Sequence, residues 1–303
     1  MWAISTVLFI GVRMIPGGPV RAMLGREATP EKVAGLREQL GLNDPLHVQY
    51  IDWMMGVLQL DLGVSIRSGQ AVTEILLLAL PKTVSIGVLS VLIGLLIAIP
   101  AGVISATRRG EVSDHIATLV AFFGLSSPAF FIGILLLLIF GVWFKILPTF
   151  GYTPLSEGVV PWFKSIFLPA VAVGLPYTAV VMRMMRSSLL EVMNEQYMKT
   201  ATAKGMSSRI RLYKHALQNA FIPVITVAGL QLAVIIGGSV TVEIVFGIKG
   251  LGRVIVRSVL NRNYPVVQGV MLLIAGSFVL INLVVDLAYT VINPRIRYGE
   301  GRQ

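Results

Sequence analysis

The sequence predicts an all-α integral membrane protein with six transmembrane helices and both termini on the cytoplasmic face. Three observations carry that prediction. The 303 residues are 55% hydrophobic and only 13% charged, with a mean hydropathy of +0.80, whereas soluble domains carry about 25% charged residues. Apolar runs approaching or exceeding the roughly 20 residues needed to cross a bilayer recur along the chain. Basic residues gather on one side of those runs: Arg108, Arg109, Arg186, Lys199, Lys204, Arg209, Arg211, Lys214, Arg295, Arg297 and Arg302. Lys/Arg-rich loops stay in the cytoplasm, so the net charge of +10 follows from membrane topology and calls for no nucleic acid.

In chain order, residues 1–15 form a short first span, with Arg13 placed to snorkel to the headgroups and Pro16-Gly-Gly-Pro19 ending it. This opening shows no basic n-region and no small-residue cleavage site, so it does not read as a cleavable signal. Residues 16–81 form an extracytoplasmic helical region. Thr29-Pro30-Glu31 opens one helix, with proline at its first position and Gly41 behind it. Asp44-Pro45 opens another, whose Tyr50 and Trp53 suit an interface. Acidic residues outnumber basic ones across this region, which suits the outer side.

Residues 82–292 form a core of five spans, with a coupling region at 187–219 and an outer loop at 243–265; residues 293–303 form a basic cytoplasmic tail. The spans cover 83–106, 116–144, 166–185, 220–242 and 266–292. The second of these five is interrupted by Ser126-Ser127-Pro128, where proline frees a carbonyl that serine hydroxyls or neighbouring helices can satisfy. Lys249, Arg253, Arg257 and Arg262 depart from the charge rule by lying in the outer loop. Two readings stay open there: a re-entrant or surface helix packed on protein, or a different number of spans.

The chain carries no phosphate-binding G-x-x-x-x-G-K-[ST] loop, and His47, His115 and His215 lack paired metal spacing. With no cysteine, thiolate metal sites and cysteine nucleophiles are excluded. Carboxylates inside spans are nearly absent, so no proton relay is evident. Any work the chain performs takes its energy from elsewhere.

That directs attention to residues 188–222. A plain helix–helix connection takes about 2–8 residues, far fewer than this segment. Ser188-Leu-Leu-Glu191 reads as a capping box. Leu189, Val192, Met193, Tyr197 and Ala201 then recur at helical spacing, and Gly205 supplies a left-handed stop. Ser207 or Ser208 caps a second helix carrying Arg209, Arg211 and Lys214. An amphipathic helix shown to the cytoplasm fits a groove on a partner.

The runs Tyr197-Met-Lys-Thr-Ala-Thr-Ala-Lys-Gly205 and His215-Ala-Leu-Gln-Asn-Ala-Phe-Ile-Pro223 resemble the cytoplasmic coupling motif of ABC importer permeases. The closer likeness is to the B-type subunit of the dipeptide and oligopeptide permease family. Further stretches agree: Ala28-Thr-Pro-Glu31 through Leu40-Gly-Leu-Asn-Asp-Pro45, Gln59-Leu-Asp-Leu-Gly63, Ser65-Ile-Arg-Ser-Gly69, Gly124-Leu-Ser-Ser-Pro128, Val242-Glu-Ile-Val-Phe246 and Asn263-Tyr-Pro-Val-Val-Gln-Gly269. Lys199-Thr200-Ala201 stands where the general motif has Glu-Ala-Ala, and Gln218 where it has proline; the peptide branch accommodates both.

The resemblance implies the six-span type I ABC importer permease fold, in a prokaryotic inner membrane. It implies as partners a second homologous permease subunit, two cytoplasmic ATPase subunits and an extracytoplasmic peptide-binding protein. ATP and Mg would bind those ATPases, no cofactor would bind this chain, and the chain itself would not be an enzyme. The cargo implied is a di- or oligopeptide. Glutathione, a murein peptide or chelated nickel are the alternatives within the family, and a stand-alone secondary transporter the alternative outside it. The implied coupling residues are Tyr197, Lys199, Thr200, Ala201, Lys204, Gly205 and Arg209. Candidates for the pathway or its gate come from the residues themselves. Ser126, Ser127 and Pro128 sit at the kink, Glu243 at an outer mouth, and Asn282 and Asp286 share one face of the last helix, where a carboxylate faces protein or water. Packing and interhelical hydrogen bonding are the competing roles for each.

Overall fold

A computed structural model of the chain describes residues 2–14, 19–24, 28–39 and 41–292; the tail at 293–303 lies outside them, as does the Asp286 side chain. The described residues are helical and contain no strand, only an isolated bridge between Val64 and Ala71. Two compact units emerge, residues 1–83 with 249–279, and residues 84–248 with 280–303.

The first unit holds α1 (Trp2–Arg13), α2 (Pro19–Leu24), α3 (Pro30–Gln39), α4 (Leu46–Leu58) and the beginning of α5 (Val72–Thr107). Helix α1 has 12 residues, about 18 Å at 1.5 Å per residue, short of the roughly 30 Å hydrocarbon core. Phe9 of α1 meets Tyr50 and Trp53 of α4 edge-on and tilted, with ring centroids 5.1 and 5.7 Å away. The Arg13 guanidinium lies 3.3 Å from the Phe9 ring centroid and its Nε donates to Gln49 Oε1 at 2.9 Å. Pro30 opens α3 as expected, with Thr29 Oγ1 accepting the Lys32 amide at 3.4 Å.

Also in this unit are α13 (Leu251–Leu260) and the beginning of α14 (Tyr264–Ile292). In the anomalous basic loop, α13 packs on protein along one face. Leu251 joins Val72, Leu76, Ala79, Val266 and Val270 in a buried cluster, while Arg257 stays exposed. The Leu251 amide donates to Thr83 Oγ1 at 2.8 Å, and Asn263 Nδ2 to Ser65 Oγ at 2.8 Å. The amphipathic sequence of α13 presents an apolar stripe to that cluster.

The second unit is built around α8 (Val159–Met193), on which α6 (Val112–Ser126), α7 (Ala129–Leu136), α11 (Leu217–Gly238) and α12 (Val240–Val245) all pack. Of the most apolar stretch of α8, 72% is buried, against 33% for α5 and 28% for α14; α8 is the central rod. It is also longer than the expected span, extending beyond residue 185. On α5 the residues Ser90, Gly94, Ala98, Gly102 and Ala106 recur every fourth position, and Ser90, Ala98 and Ala106 are buried. A Cβ on Gly102 would lie 2.7 Å from Met185 Cβ, and one on Gly174 of α8 would lie 2.9 Å from Ser90 O. With no hydrophobic drive between helices in lipid, such small residues let backbones approach and gain dispersion contacts. Ser90 and Thr178 return their hydroxyls to carbonyls one turn back, Ile86 O and Gly174 O, at 2.7 Å each, leaving no polar cost.

Helices α5, α8 and α14 are each long and apolar enough to cross a membrane. Helix α11, at 22 residues, spans about 33 Å. The interrupted run differs from the single kinked rod expected. Helix α6 ends at Ser126, α7 begins at Ala129 and continues as a π-helix (Leu137–Trp143), and the two axes meet at 107°. Proline alone kinks a helix by far less. Here Gly124 packs on Leu175 and Gly133 on Phe246, so tertiary contacts hold both arms.

Candidate functional site

The segment singled out for coupling begins inside α8. Ser188 is not a cap: it is buried within the helix and its Oγ donates to Ala220 O of α11 at 3.0 Å. The helix continues because Leu189 and Leu190 find buried partners, and tertiary packing outweighs a local cap. It stops at Met193. Glu195 is extended (φ −63, ψ 151), and α9 (Gln196–Ala203) starts a new direction.

Helix α9 has eight residues, too few to persist alone in water, so its order comes from what it touches. Met198 and Ala201 are buried, facing the core. Asn219 Nδ2 donates to Tyr197 Oη at 2.9 Å, and Arg211 Nη1 donates to Thr202 Oγ1. At its C-terminus the Met206 amide reaches Ala201 O at 3.2 Å and the Gly205 amide reaches Thr202 O at 3.0 Å. Those two bonds, with Gly205 at φ +74, make a Schellman motif, as the glycine's position predicts. Nothing lies within 4 Å of a Cβ added to Gly205. Its requirement is therefore conformational, not steric.

The second helix differs from the expected capped one. Ser207 is extended at the N-cap position but makes no side-chain cap. A single turn, α10 (Ser208–Ile210), passes into a π-helix (Arg211–Ala216) and directly into α11. A short π segment widens the turn, a feature frequent at functional sites. Here it buries Ala216 while leaving Tyr213 and Lys214 exposed.

The outcome is a surface with a buried inner face and a cationic outer one. Lys199, Thr200, Lys204 and Arg209 are exposed, as is Tyr197, while Ala201 is buried. A cleft of about 380 Å³ runs between the two arms, lined by Thr107, Met193, Met198, Lys199, Arg209 and Arg211 among others. Such a patch can receive a partner's groove. Among the described residues, no group of three His, Asp or Glu is placed to bind a metal ion.

The remaining candidates fall elsewhere. Ser126 and Pro128 are exposed and Ser127 is half-buried at the 107° bend. Glu243 is fully buried, with Oε1 accepting Ser239 Oγ at 3.1 Å. Asn282 is half-buried in α14, and the Asp286 side chain lies outside the described residues. All of these positions lie outside the 188–222 segment.

One cluster escaped the sequence reading. Arg186 of α8 donates through Nε to Asp114 Oδ1 at 3.0 Å and through Nη2 to Oδ2 at 3.1 Å. Ser105 Oγ donates to the same Oδ1, and the Gly110 amide reaches Oδ2 at 2.9 Å. The signal was an acid and a base at span ends, separated by 72 residues.

Comparison with known proteins adds to this geometry. Residues 98–298 match the family model described as binding-protein-dependent transport system inner membrane component, and residues 1–87 match the N-terminal model of the same system. A probable peptide ABC transporter permease of Sinorhizobium fredii is 43% identical over 98% of this chain and 95% of that protein. A dipeptide transport system permease of Alkalihalophilus pseudofirmus is 36% identical over 97% and 94%. A glutathione transport system permease of Salmonella choleraesuis is 40% identical over 97% and 94%. Among solved structures, an inward-facing MetNI methionine ABC transporter chain superposes with TM-score 0.58 at 19% identity, covering 72% of this chain and 96% of that one. A chain of an amino acid ABC transporter gives 0.53 at 16%, covering 74% and 95%.

Proposed function

The chain belongs to the family of binding-protein-dependent transport system inner membrane components, and from that premise we propose that it is the permease subunit of an ATP-driven importer of short peptides. The observation that carries the mechanism is the continuity of α8. Helix α8, with 72% of its most apolar stretch buried, runs out of the apolar core and turns after two residues into α9. A partner that moves α9 moves α8, and α6, α7, α11 and α12 all pack on α8.

In this reading two cytoplasmic ATPase subunits receive α9, with Tyr197, Lys199, Thr200, Lys204 and Arg209 at the contact and Ala201 and Gly205 shaping it. ATP and Mg bind those subunits. A second, homologous permease subunit completes the pathway, and an extracytoplasmic binding protein delivers the peptide. Closure of the ATPases turns the docked helices and shifts the pathway between two states, a bistable element biased by ligand. The chain crosses the membrane six times, with α1 and the bent α6–α7 pair as two crossings, both termini inside and residues 16–81 outside. Ser126, Ser127, Pro128, Asn282, Asp286 and the buried Glu243 are the pathway candidates. Short peptides are favoured because all three relatives carry peptide cargo in their names, glutathione being a tripeptide.

Purification and reconstitution test this. The chain should copurify with ATPase subunits and a second permease, and the complex should move peptide only with ATP and binding protein. Transport by this chain alone, without nucleotide, would overturn the reading.

A further inference from the structure

We propose that Asp114, Arg186 and Ser105 form a strut that locks the turn between α5 and α6 onto α8, so that this turn moves with the coupling helix as one body. The inference rests on the importer reading and goes beyond it, assigning these residues a positioning role in force transfer.

The geometry is specific. Arg186 presents its fork to both oxygens of Asp114, at 3.0 and 3.1 Å, and its Nε also lies 2.9 Å from Ser105 Oγ. Each carboxylate oxygen receives two donors: Arg186 Nε and Ser105 Oγ on Oδ1, Arg186 Nη2 and the Gly110 amide on Oδ2. Ser105 lies in α5, Gly110 in the turn, Asp114 in α6 and Arg186 in α8, so one carboxylate joins three helices. Asp114 is 5% exposed. Bidentate guanidinium–carboxylate pairing fixes orientation as well as distance. A hydrophobic contact would hold these helices together but let them slide.

Position makes this more than a staple. Arg186 lies ten residues, or just under three helical turns, before Gln196, where α9 begins. Thr107, at the end of α5, lines the same cleft as Met198, Lys199 and Arg209. The strut therefore holds the end of α5, with Thr107 at the edge of the cleft, against the helix that leads into α9. Without it, motion of α9 would be absorbed locally by opening that cleft.

The test uses the complete transporter in proteoliposomes with its ATPase and binding protein, comparing wild type with Asp114→Asn and Arg186→Lys. Solute moved per ATP hydrolysed is the readout, beside assembly and basal ATPase. Asp114→Asn should keep assembly and basal hydrolysis while lowering solute per ATP about tenfold, within the usual range of coupling between sites. Arg186→Lys, which keeps the charge without the fork, should fall between. Should Asp114→Asn not assemble, the double variant D114L/R186M replaces the pair with apolar groups, a change cores often tolerate, and the same loss is expected of it. Wild-type solute per ATP in either assembled variant overturns the strut. So does failure of both to assemble, which would mark the cluster as structural only. Absence of ATP-dependent transport in the wild type would instead overturn the importer reading.

Discussion

Asn219, near the start of α11, donates through Nδ2 to Tyr197 Oη at 2.9 Å, closing the hinge between the two arms of the coupling segment. The bond joins residues 22 apart across the glycine elbow and helps explain how an eight-residue helix stays folded on a surface.

Tyr197→Phe should leave the ring and delete that bond, a loss of about 0.5–1.5 kcal/mol in net stability. Limited trypsin digestion of the detergent-solubilised protein measures it. Cleavage at Lys199 and Lys204 should accelerate in the variant. Unchanged cleavage would mean that Met198 and Ala201 hold α9 without help.

Gly205 invites a graded series, since its φ of +74 is demanding and its surroundings are empty. Asn enters the left-handed region readily, Ala at a cost of about 1–2 kcal/mol, and a β-branched side chain at more. Peptide-stimulated ATPase activity of the assembled complex should fall in the order Gly, Asn, Ala, Val, with membrane insertion unaffected. Full stimulation in Gly205→Val would remove the elbow from the mechanism.

Much of this was legible in the sequence because it depends on single residues and short spacings. Gly205 announces its own backbone, Pro30 its own helix start, and the apolar lengths their own helices. What stayed hidden depends on partners far along the chain. Ser188-Leu-Leu-Glu191 has the pattern of a cap, yet α8 runs through it because Ser188 meets Ala220 and Leu189 meets the core. Pro128 marks a break but not its 107° angle, which Leu175 and Phe246 hold from other helices. Asp114 and Arg186 each read as an ordinary span-end charge. The ladder from Ser90 to Ala106 could have been read, since its fourfold spacing is local and its meaning in lipid is general.

That ladder supplies a contrast within one helix. Gly102→Ala places a methyl 2.7 Å from Met185 Cβ and 2.9 Å from Met182 O, whereas the same change at Gly87 meets only Ile235 Cγ2 at 3.5 Å. Overpacking of the first kind costs about 1–3 kcal/mol. Thermal unfolding of the two purified variants should show a lowered midpoint for Gly102→Ala and an unchanged one for Gly87→Ala. Equal midpoints would contradict the close approach of α5 and α8.

In the importer reading, α9 faces the cytoplasm and is covered by a partner there. Because the chain contains no cysteine, a single Lys204→Cys places a unique thiol at the exposed end of α9. A membrane-impermeant maleimide should leave it unlabelled in intact cells, label it in inverted vesicles stripped of ATPase subunits, and label it poorly once those subunits are restored. Labelling from outside intact cells, or labelling indifferent to the ATPase, would contradict the account.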